Sequence, residues 1–120
     1  LSPAHQVTLF TSKMIQADFL QQNLFSQYDR FCPLWKTLKI MRLIVLFHSL
    51  AQRAVKISAQ LSWNVLKKHL YDREAIPKLQ SLKFIHPDEK PDKAEAELRR
   101  VEKLLRDSMY SIVPKLCEED

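Results

Sequence analysis

The chain has 120 residues, nineteen Lys and Arg against fourteen Asp and Glu, a net charge of +5, and no glycine. Average usage of about 7% would place roughly eight glycines in such a chain. Primed hairpin turns and phosphate-cradling loops both depend on backbone that glycine alone adopts cheaply, so its absence argues for helices and removes the P-loop and the dinucleotide fingerprint outright.

What remains is one domain's worth of helices joined by Pro, Asp and Ser connections, with residues 1–120 forming a single all-α bundle of about four helices. Ser2-Pro3 reads as a helix cap followed by proline at the first helical position. Leu9, Ile15, Phe19 and Leu20 carry that helix to about Gln22, and Asn23 to Pro33 form a compact, aromatic-rich connection. A long helix is expected from about Pro33 to Ser58. Leu34, Leu38, Met41, Val45, His48 and Gln52 share one side, and Leu43, Phe47, Leu50, Ala54 and Ile57 lie around the other. Apolar residues on both sides predict a central helix contacted from several directions.

Ser62 is the expected N-cap of a third helix, with Trp63, Leu66, Leu70, Leu79 and Leu82 facing inward. Pro77 removes a backbone donor and clashes with the preceding turn, so this helix should kink or split near Ile76. The stretch Ile85 to Pro91, with two prolines, reads as a loop. The last helix has the strongest pattern: Ala94, Leu98, Val101, Leu105 and Ser108 follow helical spacing, widened by Leu104 and Met109. Asp92 with Glu95 three residues on resembles a capping box.

Few residue types point to chemistry. Cys32 and Cys117 form no disulfide framework and read as reduced thiols of a cytosolic protein. The first ten residues lack a basic start and a continuous apolar stretch, so no signal peptide is expected. The longest apolar run, Leu43 to Phe47, falls far short of a membrane span. His5, His48, His69 and His86 are scattered, and His48 in its apolar helix reads as a hydrogen-bonded core residue rather than a ligand. No catalytic or metal-binding constellation emerges. Lys36, Lys39 and Arg42 recur on one helix face, but no nucleic-acid motif accompanies them. Trp35 and Trp63 read as anchors at helix starts.

Asp18-Phe19-Leu20-Gln21-Gln22-Asn23, then Tyr28-Asp29-Arg30-Phe31-Cys32-Pro33, then Lys36-Thr37 resemble a block in the C-terminal helical domain of eukaryotic V-type (vacuolar) proton-transporting ATPase catalytic A subunits. Arg53-Ala54-Val55, Ala59-Gln60, Ser62-Trp63 and Leu82-Lys83-Phe84 continue in register, so the resemblance covers about residues 5 to 86. The sequence departs from the pattern at Leu24, at the short junction Ala59 to Ser62, and at Pro77, which suggests a diverged or truncated relative.

The resemblance implies the C-terminal domain of a rotary ATPase A-type polypeptide, without the nucleotide-binding domain that carries hydrolysis. Such domains sit in a ring of alternating A and B subunits, face the membrane sector, and couple ATP hydrolysis to rotation of the central stalk and proton transport. The expected partners are therefore the V-ATPase B subunit, together with central-stalk subunits, on the cytosolic side of endomembranes, with no direct membrane insertion. Phe25 and Phe31, with Tyr28 between them, would pack against adenine in the full-length protein. For the chain alone, the same three rings more simply close a small core.

ATP and Mg²⁺ belong to the parent family, and no cofactor is expected for this chain alone. Base–aromatic stacking is worth about 1–3 kcal/mol, whereas a millimolar dissociation constant requires about 4 kcal/mol. The chain alone should therefore be inactive as an ATPase. Two other readings stand beside this one: a stand-alone helical adaptor that scaffolds or competes with V-ATPase components, and, more weakly, a basic nucleic-acid-binding module.

Overall fold

The computed structural model describes residues 1–17, 34–84 and 89–119. Helix α1, Pro3–Ile15, starts where the sequence supplies a cap: the Ser2 hydroxyl accepts a hydrogen bond from the His5 backbone N–H, and Pro3 occupies the first helical position. Its inward residues are Val7, Thr11 and Met14, at helical spacing. Leu9 is exposed, because the buried stripe runs along the neighbouring face. The chain stays helical through Gln16 and Ala17; the rest of the expected continuation to Gln22, the aromatic connection and Cys32 lie outside the described residues.

Helix α2, Leu34–Ile57, is central, as its apolar coverage predicts. It buries Ile40, Leu43, Ile44, Phe47, Leu50, Ala51, Ala54 and Val55 and packs against elements before and after it in the chain. Phe47 is fully buried in an aromatic cluster with Phe10 and Trp63. The ring centroids lie 6.0 Å apart for Phe10–Phe47, 5.2 Å for Phe10–Trp63 and 6.4 Å for Phe47–Trp63. These tilted and edge-on arrangements suit the ring quadrupoles. The side expected to carry Leu34, Leu38 and Val45 into contacts is instead exposed at all three. Only its later part is covered. There Gln52 Nε2 donates to the Ala4 carbonyl at 2.8 Å and the Thr8 hydroxyl at 2.9 Å, which ties α1 to α2.

Helix α3, Trp63–Asp72, begins as expected, with the Ser62 hydroxyl accepting from the Val65 N–H. Helix α4, Ala75–Ser81, follows after a break at Arg73-Glu74, three residues before the site expected from Pro77. The reason is steric. Proline cannot bond the carbonyl four residues back, which here belongs to Arg73, and its ring crowds that carbonyl. The chain turns at that point through Glu74, which takes a left-handed conformation at φ 64°, and Pro77 then sits in the first turn of α4, where no donor is needed. Leu66, Leu70, Ile76, Leu79 and Leu82 all enter the core.

Helix α5, Pro91–Ile112, buries Ala94, Leu98, Val101, Leu105, Ser108 and Met109. The expected Asp92–Glu95 capping box does not form. With Pro91 as the first helical residue, Asp92 is already inside the helix, while Glu95 reaches Lys39 and Arg99. Pro114 drives Val113 out of helical geometry (φ −133°, ψ 84°) and so ends α5. A short helix α6, Lys115–Glu119, follows; the sequence pattern does not announce it, and it seats Leu116 in the core. The described residues form helices and no strand, which establishes the all-α class. None of these helices is long and apolar enough to cross a membrane.

Candidate functional site

Phe25, Tyr28 and Phe31, the residues singled out for adenine packing, lie outside the described residues. Two open hollows border the ends of the described stretches. One, of about 540 Å³, is lined by Phe10, Met14 and Ala17 from one side and Pro77, Gln80 and Phe84 from the other. The second, of about 810 Å³, is lined by Lys36, Leu82, Phe84, Glu89, Lys93, Glu97 and Arg100 among others. Phe84 and Ser81 line both, so the hollows meet where α4 stops.

The dominant polar feature here is a buried ion pair. Lys36 is 2% exposed, and its Nζ stands 2.9 Å from both carboxylate oxygens of Glu89, whose side chain is 18% exposed. One turn further along α2, Lys39 pairs with Glu95 and lies 5.9 Å from the centroid of the Trp35 ring. The two pairs fasten the start of α2 to the start of α5.

This geometry corrects the sequence picture of Lys36, Lys39 and Arg42 as a single basic face. Steps of three residues rotate by about 60° around a helix, so Lys36 turns inward, Lys39 lies at the edge and Arg42 faces solvent. Nothing local in the sequence announces that Lys36 and Glu89, 53 residues apart, would meet.

Two further polar seams hold helices together. Thr11 donates its hydroxyl proton to the Val7 carbonyl at 2.9 Å, so His48 Nδ1–H is the donor in its 3.2 Å contact with the Thr11 oxygen. His48 is therefore a hydrogen-bonded helix-packing residue, as its apolar setting predicted. Ser111 donates its hydroxyl proton to the Ser108 carbonyl at 2.7 Å. His69 Nε2–H then donates to that carbonyl at 2.9 Å and to the Ser111 oxygen at 2.8 Å. With its proton on Nε2, His69 is not set up to take one from Ser111, so this close Ser–His pair joins α3 to α5 rather than forming a nucleophile–base pair. Arg73 Nε adds a bond to the buried Ser108 hydroxyl at 3.1 Å.

The described residues do not fit a triphosphate. Around the larger hollow Lys36 is committed to Glu89 and Arg100 to Glu97. The remaining ammonium on this rim, Lys93, sits on a solvated helix end without a glycine-built cradle. No group of His, Cys, Asp and Glu among the described residues could hold a metal ion. What the arrangement does is lock helices to one another.

Residues 1–64 match the family described as the C-terminal domain of V and A type ATP synthase. The V-type proton ATPase catalytic A subunit of Neurospora crassa is 37% identical over 113 residues, covering 94% of this chain and 18% of that protein. Its Caenorhabditis elegans counterpart is 41% identical over 91 residues, covering 72% of this chain and 15% of that protein. Isoform 2 of Drosophila melanogaster is 37% identical over 91 residues, covering 72% and 14% respectively. The chain thus spans less than a fifth of the length of these relatives. The match over residues 1–64, more than half of the chain, assigns it to the family of C-terminal domains of V and A type ATP synthases.

Proposed function

We propose that this chain serves as the C-terminal helical domain of a V-type proton-pumping rotary ATPase A subunit, acting by helix packing. In this role it contributes to the catalytic ring of A and B subunits and helps couple ATP hydrolysis to rotation of the central stalk and to proton transport. The carrying observation is the 37% identity to a V-type catalytic A subunit across 94% of the chain.

The physical support is mechanical. Helix α2 has 24 residues, about 36 Å of helix at 1.5 Å per residue, and is gripped by α1, α5 and two further helices. Close-packed interiors transmit displacement rather than absorb it. A shift imposed at one end of α2 is therefore passed along the bundle. Phe25 and Phe31, with Tyr28 between them, are proposed to pack against adenine where a nucleotide-binding domain is present. The partners proposed are central-stalk subunits and the V-ATPase B subunit, with a peripheral location on the cytosolic side of endomembranes.

Affinity-tagged chain mixed with central-stalk subunits and the B subunit tests this. Co-purification of either partner is expected. A folded chain, verified by circular dichroism, that captures neither at micromolar concentration rejects the ring role and leaves the stand-alone adaptor.

A further inference from the structure

Helix α2 has a second face that the other described helices leave uncovered. Leu34, Leu38 and Val45 are 73%, 58% and 57% exposed, although each lies on the longest and most central helix. At 100° per residue they fall within one narrow stripe that also carries Arg42, Ser49 and Lys56, all exposed. Scattered exposed apolar residues need no explanation, but three aligned on one helix face, with Arg42 between the second and third, mark an interaction surface.

The charge of this surface is one-sided. From residue 30 to residue 71 the sequence contains no Asp or Glu, so no carboxylate stands on α2 to offset Arg42 and Lys56. Elsewhere the chain places its acids beside its bases; α5 pairs Glu95 with Arg99, Glu97 with Arg100 and Glu102 with Arg106.

We propose that the outer face of α2 is a docking surface for an amphipathic helix of another protein, one with an apolar stripe flanked by Asp and Glu. The apolar residues at i, i+4 and i+11 suit the anchors of a helix lying alongside, and Arg42 and Lys56 on the same stripe select the acidic partner and set its register. The proposal stands apart from the ring role, because the occupant is defined by the chemistry of this face and not by membership of a motor.

The test titrates the full chain with a designed helical peptide of about 20 residues, carrying a leucine stripe with glutamate flanks, and with the same peptide carrying lysine flanks. Saturable binding of the glutamate peptide is expected, at least about tenfold tighter than the lysine version and weakening with salt. Leu38→Glu with Val45→Glu should reduce that binding by about tenfold or more, and Arg42→Glu with Lys56→Glu should remove the preference for glutamate. All four positions are exposed, so both variants should keep the wild-type circular dichroism spectrum.

Equal binding of the two peptides, no saturable binding, or variants that bind like wild type would overturn the proposal. So would tighter binding to a DNA duplex or to phosphatidylserine vesicles. A dimer of the chain dissociated by Leu38→Glu with Val45→Glu would overturn it too, by making a second copy the occupant.

Discussion

Removing either partner of the Lys36–Glu89 pair should have unequal consequences. Glu89→Ala leaves the Lys36 ammonium, whose side chain is 3% exposed, without its bidentate partner. Stranding a buried charge in this way costs about 3–5 kcal/mol. Lys36→Met keeps the buried aliphatic stem and leaves Glu89, which is 18% exposed and retains partial hydration. Its cost should be smaller, about 1–2 kcal/mol. The double variant removes both charges and should be more stable than Glu89→Ala alone, because no buried ion remains to be compensated. Urea unfolding followed by far-UV circular dichroism gives these differences, provided the m-value is unchanged. With total domain stability of about 5–15 kcal/mol, the ordering is readily measured. Additive singles each below about 0.5 kcal/mol, or Lys36→Met as the worse variant, would refute the view that this pair is a buried clamp.

Three other substitutions probe the packing and the turns. Phe47→Ala empties the centre of the aromatic cluster with Phe10 and Trp63 and should cost about 3–5 kcal/mol in the same unfolding assay. Ser62→Ala removes the hydroxyl that accepts from Val65 and should cost about 1 kcal/mol, with little change in helical content. Glu74→Gly should stabilise the chain by up to about 1 kcal/mol, seen as a higher melting temperature. It relieves a left-handed conformation at φ 64° at the loss of only an exposed pair with Lys78.

Much of the fold was legible because helical periodicity and capping are local. Ala94, Leu98, Val101, Leu105 and Ser108 are buried as their spacing demands, and Ser2 and Ser62 cap the helices they precede. The absence of glycine pointed to the same class from composition alone. Legibility failed where distant parts of the chain decide the outcome. Helix α2 is apolar on two sides, and sequence could not show that α1 covers His48 and Gln52 but leaves Leu34, Leu38 and Val45 bare.

Pro77 announced a break, but the break falls at the carbonyl that proline displaces, not at proline itself. Helix α6 is too short to carry a periodic signal, and the helix-stopping effect of Pro114 was the available clue. Lys36 looked like one member of a surface stripe because its partner, Glu89, lies beyond two intervening helices. Of the candidate site, the sequence offered Phe25, Tyr28 and Phe31 through resemblance, whereas the described structure shows the two hollows and the ion pairs beside them.

A bundle built to hold other helices should not grip a triphosphate by itself. Isothermal titration calorimetry of the 120-residue chain with Mg-ATP tests this most directly. No saturable heat up to about millimolar nucleotide is the predicted result, because stacking alone supplies too little free energy to hold it. A stoichiometric isotherm with a micromolar dissociation constant would contradict it.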